Sequence, residues 1–142
     1  MDSATIIRAL YDYFLGCPLM DGKKINVDFL PEAGVEYSID TTPSTEIVRR
    51  YVDGSSIRQY LFVIRSVEDY GTDVLQNLSN SGFYEELAAW MEQQTWDGSV
   101  PQLPTGLHAQ RIEAQSTGYL FSPGAKTGRY QIQCRLLYYQ EA

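Results

Sequence analysis

The sequence predicts an α+β fold: one mainly antiparallel sheet of four or five strands, with an N-terminal helix and a mid-chain helix packed on it. The run from Ser55 to Val67 is rich in β-branched and aromatic residues and contains no Gly or Pro, which favours a central strand. Both of its alternating sets of side chains are apolar in the middle, as in a strand that is covered on both faces. Two further segments have apolar residues at helical spacing. This mixture predicts helices packed against a sheet.

Length and composition predict one domain over residues 1–142. Hydrophobic residues make up 44% of the chain and charged residues 20%, which are ordinary values for a globular protein. A chain of this length buries about two thirds of its unfolded surface in one core. The formal net charge of -7 argues against a nucleic-acid-binding protein, because affinity for phosphate depends on Lys and Arg side chains. We therefore expect no sequence-specific nucleic-acid partner.

The first helix is predicted over residues 3–15. Its apolar side chains recur at positions i, i+3, i+4 and i+7, and they are Ile7, Leu10, Tyr11 and Phe14. We expect Asp2 or Ser3 to cap its start, and Gly16 with Pro18 to end it.

Strands and a hairpin are predicted next along the chain. Residues 25–29 are interpreted as a short edge strand, and residues 35–41 and 46–52 as two further strands. Asp53-Gly54 is the strongest hairpin signal in the sequence, and it lies between 46–52 and the central strand. These two strands are therefore predicted to form an antiparallel pair.

The second helical region begins after Asp73, a favourable N-cap, and extends to the neighbourhood of Thr95. Its apolar periodicity breaks at Asn80-Ser81-Gly82, which predicts a bend or two helices, with Ser81 as a second cap. Residues 96–106 are predicted to be a long loop, either an interaction arm or a plain surface connection. Two closing strands are predicted over 109–121 and 129–140, giving the order α-β-β-β-α-β-β.

No catalytic, metal-binding or cofactor-binding site is predicted. His108 is the single histidine, and it has no partner in a recognisable catalytic or zinc-binding pattern. Cys17 and Cys134 lack metal-ligand spacing, so we interpret both as free thiols, with Cys134 buried in the last strand and a disulfide as the alternative. The N-terminal residues lack the pattern of a signal peptide and no apolar run is long enough to span a membrane. The expected location is the cytoplasm, without a membrane partner.

Arginine and tyrosine residues on predicted strands are candidates for a protein–protein interface. Both residue types are enriched at such interfaces, and a strand fixes the position of the side chain. The candidate interface residues are Arg49, Arg50, Arg58, Arg65, Trp96 and Arg135. The alternative is that arginine stems cover the sheet faces of an ordinary fold.

Six runs of sequence resemble a known family. They are Asn26-Val27-Asp28-Phe29-Leu30-Pro31, Tyr37-Ser38-Ile39-Asp40, Asp53-Gly54-Ser55-Ser56-Ile57-Arg58-Gln59-Tyr60-Leu61-Phe62, Asp73-Val74-Leu75-Gln76-Asn77, Asn80-Ser81-Gly82-Phe83-Tyr84 and Tyr130-Gln131-Ile132-Gln133-Cys134-Arg135. In this order, and over nearly the whole chain, they are similar to small proteins encoded in tail-morphogenesis clusters of prophages of Gram-positive bacteria. These relatives are of the phage tail-terminator or minor structural (minor capsid) type.

The resemblance implies a non-enzymatic virion structural protein. It implies a subunit that forms a ring, with six copies expected, at the head-proximal end of the tail tube. There the ring would stop tube polymerisation and contact the head connector. The implied partners are further copies of the chain, the tail tube protein and the head-tail connector protein. The implied locations are the host cytoplasm during assembly and then the virion tail.

Some sequences of this kind carry a chloramphenicol-resistance label, so the alternative is a small-molecule-binding or enzymatic protein. The acetyltransferase that inactivates chloramphenicol uses a histidine base in an H-x-x-x-D-G pattern. Here His108 is followed by Ala109-Gln110-Arg111-Ile112-Glu113, so the base would lack those neighbours. The enzymatic alternative predicts a concave pocket with converging polar groups near His108, Glu113 or the Arg49-Arg50 pair.

Overall fold

The computed structural model describes residues 5–20, 23–31, 35–124 and 126–142. Within these ranges the chain forms two α-helices and seven strands, so the predicted α+β class and both helices are confirmed. The elements in chain order are α1 (Ile6–Leu15), β1 (Ile25–Val27), β2 (Glu36–Thr41), β3 (Ile47–Arg50), β4 (Ser56–Asp69), α2 (Val74–Asp97), β5 (Leu107–Ala114), β6 (Tyr119–Pro123) and β7 (Thr127–Gln140). A short 3₁₀ turn, Pro18–Met20, follows α1.

The sheet is organised around β4 and β7, which pair antiparallel along their full lengths. β2 and β3 lie end to end on the free side of β4, with β2 against Phe62–Val67 and β3 against Ser56–Arg58. β5 and β6 lie in the same way on the free side of β7. The sequence prediction of a central strand starting near Ser55 is therefore confirmed, and so is its hairpin with β3.

The sheet has more strands than predicted, and it is mixed. The predicted edge strand over 25–29 is β1, which pairs parallel with β2. The predicted strand over 109–121 is wrong as a single strand, because the chain leaves the ladder between β5 and β6. There the backbone N–H of Gln115 donates to the carbonyl of Gln133, and the hydroxyl of Ser116 accepts from the N–H of Gln133.

The break between β5 and β6 brings Gly118 against α2. A Cβ atom placed on Gly118 would lie 2.2 Å from Cβ of Tyr84 and 2.4 Å from Cγ of the same residue. A glycine is required at this position because any larger residue would overlap the base of a buried tyrosine. The interruption of the strand thus allows the chain to pass close under the helix.

Helix α1 begins later than predicted. Its N-cap is Thr5, whose side chain accepts from the backbone N–H of Arg8, so the prediction of Asp2 or Ser3 as the cap is wrong. Those two residues lie outside the described ranges. Gly16 is the C-cap, as predicted.

Helix α2 begins at the predicted cap, Asp73, whose carboxylate accepts from the N–H groups of Leu75 and Gln76. The predicted break near Asn80-Gly82 is wrong, because α2 is continuous over 24 residues. Asn80 is buried but bonded: its amide donates to the carbonyl of Asp69 at 2.7 Å and its oxygen accepts from Gln76. Helical periodicity requires an apolar residue at this position of the buried face of α2. Asn80 takes its place because the hydrogen-bonding groups of its side chain have partners.

The core lies on one face of the sheet, beneath both helices. Phe14 of α1 packs edge-on against Phe62 of β4, and Tyr84 of α2 stacks on Tyr130 of β7. Cys17 and Cys134 are free thiols buried in this core, as predicted. Burial raises the pKa of both thiols.

No helix of the described ranges covers the opposite face, and the prediction that the central strand is covered on both faces is confirmed only in part, because Val63 and Val67 on that face of β4 are buried. One end of that face is crossed by the segment 29–31. The N–H of Phe29 donates to the hydroxyl of Ser38 on β2, and the carbonyl of Pro31 accepts from Arg129 on β7. Val67, on β4 between these two strands, is fully buried. The remaining apolar side chains of β4 on this face lie among polar side chains of β2 and β7.

Candidate interaction surfaces

The sheet face that carries no helix has a network of charged and amide side chains. We call it the open face, and its polar members on β2, β4, β5 and β7 are Ser38, Asp40, Gln59, Arg65, Glu113, Gln131, Gln133 and Arg135. These positions alternate with core positions along each strand, which is why one register places them all on the same side.

Arg65 holds one half of the open face together. Its guanidinium contacts Asp40 Oδ2 at 3.1 Å and donates from Nε to Gln131 Oε1 at 3.1 Å. The same group lies over the ring of Phe121, with Cζ 5.5 Å from the ring centroid. Asp40 also accepts from the hydroxyl of Ser38. Asp40 is nearly buried, so these donors take the place of water around its carboxylate.

Arg135 holds the other half. It contacts Glu113 Oε2 with Nη2 at 2.6 Å and donates from Nη1 to Gln59 Oε1 at 3.4 Å. Arg111 adds a second contact to Glu113, at 3.3 Å. Two strand arginines predicted as interface residues are therefore fixed by carboxylates of their own chain.

Arg58 lies on the other face of the sheet, because it is seven residues before Arg65 on the same strand. It contacts Glu46 Oε1 at 2.9 Å. Tyr138 donates to the same carboxylate at 3.3 Å, and burial raises the pKa of Tyr138 to about 12. The predicted interface residues thus do not form one patch.

The hairpin between β3 and β4 carries exposed cations and exposed apolar side chains. We call residues 48–54 the hairpin tip. Arg49 and Arg50 are exposed, and neither makes an ion pair with another described residue. Val52 is fully exposed, and Val48 and Tyr51 are about half exposed. The turn is closed by Gly54, which has a φ of 94° in the left-handed region.

The predicted loop residue Trp96 is part of helix α2, and the connection to β5 is shorter than predicted. Its side chain is 85% exposed. Trp96 stands at one end of a shallow depression between α2 and the strand edge of β5, which we call the acidic groove. Its other main lining residues are Glu85, Ala88, Ala89, Glu92 and Ala114, and at the Trp96 end it is also lined by Arg111 and Glu113, which form an ion pair with each other.

The acidic groove exists because of two side-chain choices on α2. Ala88 and Ala89 are too short to fill the space beside β5, and Glu85 and Glu92 lie two helical turns apart on the same side. Thr95 seals the strand edge below: its hydroxyl accepts from the N–H of Ile112 at 3.0 Å and donates to the carbonyl of Ile112 at 2.7 Å. This groove was not predicted from the sequence. The pair of alanines between glutamates at helical spacing was the available signal.

The groups named for the enzymatic alternative do not converge. His108 is exposed at the start of β5, with Nε2 2.6 Å from Glu141 Oε2. Glu113 faces the open face, and Arg49 and Arg50 lie on β3, at the opposite side of the sheet. The described residues also contain no group of three or more His, Cys, Asp or Glu side chains placed to hold a metal ion.

A buried polar cluster lies between α2 and the sheet. Ser66 and Tyr84 share a hydrogen bond between their hydroxyl groups at 2.5 Å, and the hydroxyl of Tyr84 is 3.5 Å from the carbonyl of Tyr130. Burial strongly raises the pKa of Tyr84. Burial also raises the pKa of the nearby Glu68 carboxyl, while Ser66 and Lys23 act in the opposite direction.

Replacing Glu68 with Gln is expected to increase stability at neutral pH. The pKa of Glu68 in the folded chain lies above its ordinary value of 4.5, so the folded state binds this proton more tightly than the unfolded state. The free energy of unfolding therefore falls as pH rises from 4.5 through the folded pKa, and Gln removes that loss. Urea unfolding of Glu68→Gln and the parent chain between pH 3.5 and about 8 measures this.

The exposed residue Glu86 on α2 is the matched control. Glu86→Gln measures the effect of the same substitution at an exposed position. Parallel pH profiles for Glu68→Gln and the parent chain would contradict the account.

Comparison with models of known protein families and with curated proteins finds no match for this chain. Neither of the two helices in the described ranges is both long and apolar enough to cross a bilayer.

Proposed function

We propose that this chain is a non-enzymatic phage or prophage tail assembly protein of the tail-terminator type. In this role it forms an oligomeric ring, with six copies expected, on the head-proximal end of the tail tube and joins the tube to the head connector. It is made in the host cytoplasm and kept in the virion tail. The sequence resemblance to tail-morphogenesis proteins motivates the proposal.

The observation that carries the proposal is the open face. Its charged side chains are held in place by partners of the same chain, as in the contact of Arg65 with Asp40 and that of Arg135 with Glu113. Side chains that are already ordered lose little conformational freedom when a partner protein binds. A broad surface of this kind, with arginine and aromatic residues, is suited to protein–protein contact.

Exposed apolar side chains elsewhere support the same conclusion. Val74, Leu75 and Leu78 lie exposed on the first turns of α2, and Val52 lies exposed on the hairpin tip. An assembly protein must contact several neighbours at once, and it needs more than one such surface.

Complementation tests the function. In a phage that lacks this gene, the parent chain is expected to restore tails of uniform length joined to heads. Gln133→Trp is expected to fail, because it adds bulk at an exposed position of the open face. Glu86→Lys, on the exposed side of α2, is the control and is expected to succeed. Particle counts and tail lengths from electron microscopy are the measurement.

Normal tails joined to heads in the absence of the protein would overturn the proposal. So would a failure of purified protein to bind the ends of purified tail tubes. Full complementation by Gln133→Trp would show that the open face is not a contact surface.

A further inference from the structure

The hairpin tip and the acidic groove are complementary in charge and in shape. The hairpin tip projects two arginines, one on each face of β3, next to exposed Tyr51 and Val52. The acidic groove has an alanine floor and two exposed glutamates at its rim, Glu85 and Glu92, that make no ion pair with a described residue. Each surface therefore offers what the other lacks.

The hairpin tip keeps a net charge of +1, because two arginines, Arg49 and Arg50, outnumber the one carboxylate of Asp53. That carboxylate accepts from the N–H of Ser55 at 2.9 Å and from its hydroxyl at 2.5 Å. Arg49 and Arg50 remain on the outside, in a protein whose net charge is -7. A local cationic group on an acidic protein has abundant acidic surface to contact, and a second copy of the chain provides it.

The hairpin tip and the acidic groove lie at opposite edges of the sheet. β3, which leads into the hairpin tip, pairs with β4 on the side away from β7. β5, which forms one wall of the acidic groove, pairs with β7 on the side away from β4. One copy therefore cannot bring its own hairpin tip to its own groove without unfolding the sheet. The contact has to be made between copies.

We propose that the hairpin tip of one copy docks into the acidic groove of the next, with Val52 on the alanine floor and Arg49 and Arg50 beside Glu85 and Glu92. Because the two surfaces differ, the contact is head-to-tail, and repetition of it closes a ring or extends a filament. That this contact closes into a ring, and does not extend a filament, rests on the proposed function.

Cysteine cross-linking tests the contact directly. Chains with Val52→Cys and chains with Ala89→Cys are mixed and oxidised, alone and on purified tail tubes. Cys17 and Cys134 are buried and do not compete. The mixture is expected to form a disulfide-linked pair of one chain of each kind, and neither variant alone is expected to form the link. Linkage of Val52→Cys chains to each other would indicate a symmetric contact and overturn the proposal.

Charge reversal provides the second measurement. Arg49→Glu with Arg50→Glu is expected to raise the concentration needed for self-association about tenfold or more, since like charges would face each other. Glu85→Arg with Glu92→Arg is expected to do the same. All four changes in one chain are expected to restore association. Equal association by all variants would overturn the proposal.

The outcomes separate the interface from the function. Cross-linked rings that fail to limit tail length would leave the interface standing and remove the tail-terminator role. Tails of normal length, made by a protein whose mixed cysteine variants never cross-link on the tube or in solution, would remove this interface and leave the role.

Discussion

Replacing Gly118 with alanine is expected to lower the free energy of unfolding by about 3 kcal/mol, the upper part of the range for overpacking in a core. The added Cβ would lie 2.2 Å from Cβ of Tyr84, which is too close for two carbon atoms that are not bonded to each other, so one of the two residues would have to move. Tyr84 cannot rotate away from this contact, because its Cβ is fixed by helix α2 and its hydroxyl is bonded to Ser66. Either the helix or the turn between β5 and β6 must shift.

Gly82 on the same helix is the matched control. A Cβ placed there meets no atom within 4 Å, so Gly82→Ala is expected to stabilise the chain by about 0.5–1 kcal/mol through helix propensity. Urea unfolding followed by circular dichroism measures both variants. Wild-type stability of Gly118→Ala would show that the packing of the turn against Tyr84 is wrong. Truncation of Tyr84 to alanine in the Gly118→Ala background should reduce only part of the added cost, since it removes the overlapping ring atoms but leaves Cβ in place.

The parts of the fold that the sequence predicted are those encoded by neighbouring residues. Asp73 caps α2 through the N–H groups two and three positions later, and Asp53-Gly54 closes a hairpin within a few residues. The features that were missed depend on distant contacts. Asn80 belongs to the buried face only because the carbonyl of Asp69 is there to accept its amide.

The candidate surfaces were also predicted only as far as local sequence determines them. Arginines on strands could be identified by alternation, but their partners could not. Arg65 meets Asp40 through the register of β2 on β4, and Arg135 meets Glu113 through the register of β5 on β7. Register depends on the whole sheet and does not follow from the local pattern. The sequence therefore identified arginines with fixed positions but did not distinguish those bound within the chain from those exposed, such as Arg49.

This distinction changes the expected result for Arg65→Glu. If Arg65 only contacted a partner protein, its charge could be reversed without loss of folding. In the structure its guanidinium faces the carboxylate of Asp40, whose side chain is 12% exposed, while that of Arg65 is 37% exposed. Removal of one partner of a buried pair costs about 3–5 kcal/mol, and a fully exposed pair contributes about 1 kcal/mol or less. We expect Arg65→Glu to cost about 3 kcal/mol, because a second carboxylate would also repel Asp40.

A double mutant with Asp40 distinguishes repulsion between the two carboxylates from a general intolerance of β4 to substitution at Arg65. In an Asp40→Asn background, Arg65→Glu is expected to cost at least about 1 kcal/mol less than in the parent chain, since the repulsion is gone. Arg49→Glu, at an exposed position of β3, is the control and is expected to change stability by less than about 0.5 kcal/mol. If Arg65→Glu folds as stably as the parent chain, the ion pair does not support the open face. Any loss of assembly by that variant would then be a loss of contact with a partner.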